Sequence, residues 1–242
     1  MIRVICCISA LCIIAFALPA NAQDLSVSLG DDTSLSARAL QLMALVTLLS
    51  LAPGIAVMIT CFPFVVTVLS ILRQAIGLQQ APPNMLIISL ALFLTYFVMD
   101  PVFQAAWEGG LKPLSEGTLE LEEAFPKALE PFRVFMAARL DLDTFATLAE
   151  LRPGLSGVSP DQSPLSLLIP SFMLSEIERA FQIGFLIFLP FLIIDLVVAA
   201  ILMSMGMMMV PPAIISLPFK LAFFVVADGW SLLAAALVRS YF

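Results

Sequence analysis

Apolar residues fall into five runs along this chain, and one polar stretch divides them. A short run covers Val4–Leu18. Four long ones follow, at about Ala39–Leu72, Met85–Trp107, Ala180–Val210 and Ala213–Val238. A helix needs about 20 apolar residues to cross the hydrocarbon core of a bilayer, so each long run is sufficient for one crossing. Ala39–Leu72 exceeds that need and contains Pro53-Gly54 and Pro63, which predicts a kinked or broken helix. Pro190 and Pro218 predict bends in the last two runs. The pattern therefore predicts an all-α membrane protein of about four long kinked helices in two hairpins, over 23–107 and 180–242.

The polar stretch, residues 108–179, holds 12 of the 18 acidic residues and 6 of the 11 basic ones, so it reads as a small helical subdomain outside the membrane. Glu116–Arg139 has helix-forming composition, with turn residues at Pro113, Pro126 and Pro131. Asp141–Leu151 reads as a short helix, and Pro153–Pro164 as a Gly/Pro/Ser loop.

The N-terminal run reads as a secretory signal. Arg3 supplies a positive start, Val4–Leu18 the apolar core, and Ala20-Asn21-Ala22 the small residues a signal peptidase accepts, with cleavage expected after Ala22. An uncleaved first helix is the rival reading. Cleavage would start the mature chain on the outer side. Arg73–Asn84 and the methionine-rich turn would then lie inside, and residues 108–179 would be periplasmic. It would also remove Cys6, Cys7 and Cys12, leaving Cys61, which reads as a small buried hydrophobe and cannot form an intrachain disulfide.

Composition narrows the function. The chain is 61% hydrophobic and only 12% charged, against about 25% charged residues in a soluble domain. A net charge of −7 offers no basic face for nucleic acid. The absence of histidine removes His-based zinc sites and His-based acid–base machinery. No cofactor is implied.

Few residues could carry chemistry. Asp195, Lys220 and Asp228 sit inside apolar runs, and Glu176, Glu178 and Arg179 just precede one. A charge in hydrocarbon costs a few kcal/mol, so it faces protein and finds a partner. Three uses stay open: structural ion pairs, a proton or ion path through Asp195 and Lys220, and an intramembrane aspartyl dyad of Asp195 and Asp228. The dyad is disfavoured because Val226-Ala227 precede Asp228, in place of the Gly-x-Gly context of such proteases. The second feature is Met203-Ser204-Met205-Gly206-Met207-Met208-Met209, followed by Val210-Pro211-Pro212. It reads either as apolar filler at a hairpin or as a soft seal of flexible thioethers.

Several contiguous runs resemble the FliP family, export-gate subunits of flagellar type III secretion with counterparts in virulence injectisomes. They are Leu72-Arg73-Gln74-Ala75, Ala81-Pro82-Pro83-Asn84, Ala91–Thr95, Ala180–Gly184, Leu189–Val197, Gly206–Pro212, Leu217–Lys220 and Asp228-Gly229-Trp230. The resemblance implies a non-enzymatic subunit of the bacterial inner membrane, within the flagellar basal body. Several copies would assemble with two smaller membrane proteins of the FliQ and FliR type into a conduit for unfolded flagellar proteins. It implies that the assembled helices sit largely above the bilayer plane. It assigns Met207, Met208 and Met209 to a pore gasket, pairs Glu176 with Lys220 between helices, and makes Phe135 and Phe145 subunit contacts. Where many relatives carry Thr-Arg, this chain has Pro63-Phe64, so the family's basic residue at that step is absent. The signal favours the flagellar branch over the injectisome one.

Overall fold

The computed structural model describes residues 35–78, 82–155, 157–207 and 209–242. The predicted signal, with Ala20 and Ala22, lies outside the described residues, as does Met208. The fold is all-α, and the chain is a membrane protein: three helices are long and apolar enough to cross a bilayer, or four if one bent pair counts as a single span. By contacts the chain divides into two units, residues 1–50 and 51–242.

The first apolar run forms two helices. α1 (Leu35–Met58) runs on through Pro53, and α2 (Phe62–Ile76) begins after a break at Ile59-Thr60-Cys61. Proline therefore acts here by position. Pro63 stands in the first turn of α2, where its missing N–H costs nothing. In α1 the first hydroxyls of the run are satisfied locally, with Thr47 donating to Ala44 O at 2.8 Å and Ser50 to Thr47 O at 2.7 Å, the internal pairing hydrocarbon demands.

In the second unit α2 is the central element. Phe64, Val65, Val68, Leu69, Leu72, Ala75 and Ile76 are buried at helical spacing on one face. That face packs on α7 (Leu165–Ser204) and α3 (Asn84–Ala106). Gly184 permits the α2–α7 approach; a Cβ there would meet Ile71 Cδ1 at 2.4 Å. Helix α2 ends on Gly77 at φ 89°, a left-handed cap that glycine adopts without strain.

The polar stretch is helical and folds back on the same body. α3 continues through a π turn (Trp107–Leu111) into α4 (Lys112–Ser115). α5 (Leu121–Arg139) runs through Pro126 and Pro131, although proline there reads as turn. Asp141 caps α6 (Leu142–Glu150), accepting a hydrogen bond from Thr144 N at 2.8 Å. Met136, Leu140, Phe145, Ala149, Leu167, Leu168 and Phe172 form a second cluster between α5, α6 and α7. α7 starts at Leu165, inside the stretch read as polar, and runs unbroken for 40 residues past Pro170 and Pro190.

The last apolar run bends by 62° between α8 (Pro212–Val226) and α9 (Gly229–Arg239). Pro218 is carried within α8, and the bend falls at Asp228, left-handed at φ 49°. Gly229 is required there, because a Cβ would stand 2.2 Å from the Phe224 ring.

Candidate functional site

Two buried charge clusters and one exposed methionine turn contain most of the residues singled out from the sequence. The first cluster centres on Glu176, fully buried on α7. Arg139, in the last turn of α5, places Nε and Nη2 each 3.3 Å from Glu176 Oε1. Arg179, one turn along α7, lies 3.8 Å from the same oxygen. The Tyr241 hydroxyl donates to Glu176 Oε2. Two cations and a phenol thus offset the loss of hydration that an isolated buried carboxylate would suffer.

The same cluster fastens the C-terminal residues. Arg139 Nη1 donates to Ser240 O at 2.6 Å, and its guanidinium lies 4.0 Å from the centre of the Tyr241 ring. That ring stacks on Phe135 at 6.0 Å and meets Phe64 edge-on at 5.5 Å. Burial, and then the neighbouring Glu176 charge, push the Tyr241 hydroxyl above its ordinary range. Phe64, standing where the resemblance places a basic residue in relatives, is buried against this tyrosine.

The second cluster joins three helices. Lys220 Nζ on α8 donates to Asp195 Oδ2 on α7 at 2.6 Å and to Ala75 O on α2 at 3.1 Å. The Ala75 carbonyl belongs to the last turn of α2 and has no partner within its helix, so a cation at that end satisfies both the bond and the helix dipole. Ser216, one turn before Lys220, donates to Asp195 Oδ1 at 2.6 Å.

Within this chain Glu176 and Lys220 are therefore not each other's partners: Glu176 takes Arg139, Arg179 and Tyr241, and Lys220 takes Asp195. Asp195 and Asp228 form no dyad either. Asp228 sits at the α8–α9 bend and accepts a hydrogen bond from Ser231 at 3.1 Å. Phe145 is buried in the chain's own second cluster, whereas Phe135 is half-buried between Phe172 and Tyr241. Cys61 is buried and free. Sequence reading missed Arg139, Tyr241 and Ser216. Helical spacing held a signal for two of them: Arg139 is four residues from Phe135, and Ser216 four from Lys220, each on one helix face.

The methionine turn connects α7 to α8. Met203, Met205, Met207 and Met209 are all exposed, Met209 almost completely, and Gly206 holds the turn at φ 76°. Pro211 precedes α8 in an extended conformation, and Pro212 begins it. The Lys220–Asp195 pair crosslinks the two helices that the turn joins.

The FliP family model matches residues 45–237, which includes the turn, the Lys220–Asp195 cluster, and Glu176 with Arg139 and Arg179. The chain belongs to the FliP family. Relatives named flagellar biosynthetic protein FliP agree over most of its length. That of Caulobacter vibrioides is 51% identical over 238 residues, covering 97% of this chain and 90% of the relative. That of Agrobacterium fabrum is 47% identical over 236 residues, covering 94% and 96%. That of Bacillus subtilis is 47% identical over 205 residues, covering 83% and 91%. FliP family membership makes this chain a flagellar biosynthesis protein.

Proposed function

We propose that this FliP family member is a core subunit of the flagellar type III protein-export gate in the bacterial inner membrane. Several copies pack with two smaller membrane proteins of the FliQ and FliR type around a conduit for unfolded flagellar proteins. The chain acts as a conduit wall rather than as an enzyme.

The observation that carries this reading is the length of α7. Forty residues rise about 60 Å, against about 30 Å of hydrocarbon. Only 17% of its most apolar window is buried within the chain, and Phe181, Phe185, Leu186, Ile193 and Leu196 are exposed. Lipid can cover about half of such a helix. The rest needs protein, and sister subunits supply it. The buried charge clusters fit the same reading, because they bind the helices of one chain into a unit that can be tiled.

Met207, Met208 and Met209 form the gasket in this proposal. Thioether side chains from several copies exclude ions at rest and change rotamer when a polypeptide enters. Alanine at all three positions should raise small-ion leakage of membranes carrying the assembled complex while leaving assembly intact. Unchanged leakage in an assembled triple variant would remove the gasket.

A further inference from the structure

The two helices that carry the methionine turn share little packing with the rest of the chain. Up to Gly184, α7 buries Leu167, Leu168, Phe172, Glu176 and Ala180 among its contacts with α2, α5 and α6. Beyond it, only Phe191, Val198 and Leu202 are buried. Phe191 still belongs to the core around α2, and it meets Phe223 at 6.0 Å and Phe224 at 6.3 Å. Val198 and Leu202 do not. Among the described residues, none between 192 and 219 joins either core cluster. These segments are nevertheless bound to each other, since Asp195 on α7 accepts from Ser216 and Lys220 on α8, each at 2.6 Å. Among the described residues, residues 191–222 make one hydrogen bond outside α7 and α8, from Lys220 Nζ to Ala75 O at 3.1 Å. They form an arm, anchored at its base by Phe191, crosslinked inside, and hydrogen-bonded to α2 at one point.

Pro190 stands at the base of this arm. Proline has no N–H, so the Leu186 carbonyl loses its donor within the helix, and bends in long helices concentrate at such breaks. Pro170 makes the same gap in α7, but there Leu167, Leu168, Ser171 and Phe172 are buried on both sides of it and fix the helix. We propose that the arm swings about Pro190, and that the Lys220–Ala75 hydrogen bond is the latch that holds it against α2. The swing breaks that one bond and leaves the Lys220–Asp195 pair intact. Residues 191–204 rise about 20 Å, so a kink of about 20° moves the methionine turn by about 7 Å. The hinge rests on the geometry of a single chain; only the idea that its motion opens a passage rests on the conduit reading above.

The test measures the swing and not export. Spin labels on p-acetylphenylalanine replace Ile214 on the arm and Leu142 on α6, both exposed. Double electron–electron resonance then reports their separation in the full chain, extracted in mild detergent with unlabelled chain in excess. The parent chain should give one main distance. Removing the latch with Asp195→Leu and Lys220→Met should add a second, about 5 Å or more from the first. Adding Pro190→Ala should cut the second population about threefold, whereas adding Pro170→Ala should leave it unchanged. One distance in every form, or a second distance that ignores Pro190→Ala or responds equally to Pro170→Ala, would overturn the proposal. Where the latchless variant does not fold, hydrogen exchange decides. Pro190→Ala alone should slow the amides of residues 187–196 about fivefold and leave those of 166–176 as they were; an unchanged rate at 187–196 would overturn it.

Discussion

Lys220 Nζ stands 2.6 Å from Asp195 Oδ2, so one ion pair ties α8 to α7 just beyond the methionine turn. Lys220 is buried and Asp195 about one-third exposed. Asp195→Asn would leave the buried ammonium with no counter-charge, facing at most a neutral amide oxygen and the Ala75 carbonyl. Loss of a fully buried partner costs about 3–5 kcal/mol; partial exposure of Asp195 reduces the expected cost to about 2 kcal/mol. Thermal unfolding in detergent should show a midpoint lower by about 4–8 °C. The double change Asp195→Leu with Lys220→Met should recover most of that loss, because it removes both charges. A double variant no better than Asp195→Asn would mean that the pair does more than satisfy itself.

Tyr241 carries an alkaline prediction. Its hydroxyl is pushed up by burial and by Glu176, so the folded chain holds the proton more tightly than the unfolded one. Stability is then at its full value below the ordinary phenol value of 10.0 and falls as pH rises above it. Tyr241→Phe should lower stability at neutral pH and flatten that alkaline decline. A decline of equal slope in the variant would assign it to other groups.

Asp141 carries the acid counterpart. The Thr144 backbone N–H, the strongest of several hydrogen bonds, holds its carboxyl below the ordinary 3.8. Its contribution is present above that value and is lost as pH falls through the lowered one. Asp141→Asn should keep the α6 cap at neutral pH and abolish its share of the acid decline. Asp141→Ala should weaken α6 at every pH. Helicity followed between pH 2 and pH 7 distinguishes the three forms.

Gly184 carries a steric prediction. Its missing Cβ is what lets α2 approach α7 at Ile71. Gly184→Ala should destabilise the chain despite the better helix propensity of alanine, and Ile71→Val in the same chain should relieve part of the loss. Unfolding midpoints of the single and double variants check it.

The apolar runs made the number and type of the long helices legible, since a bilayer demands length and hydropathy and little else. The beginning of α7 was hidden. Glu176, Glu178 and Arg179 placed residues 165–179 in the polar stretch, yet these residues belong to the long apolar helix and Glu176 is the most buried charged side chain of the described residues. A charge's partner decides its burial, and partners such as Arg139 and Tyr241 are 37 and 65 residues away in sequence. Pro126 and Pro131 misled for the opposite reason: local composition reads as turn, whereas packing of α5 on α3 and α7 holds the helix through both. The 62° bend at Asp228 was equally illegible, because it depends on where the Phe224 ring lies over Gly229.

Native mass measurement of the complex extracted in mild detergent bears most directly on the central claim. A conduit subunit with α7 half-covered by neighbours should emerge as several copies of this chain bound to two smaller, strongly apolar proteins. A particle containing a single copy of this chain and no other protein would contradict it.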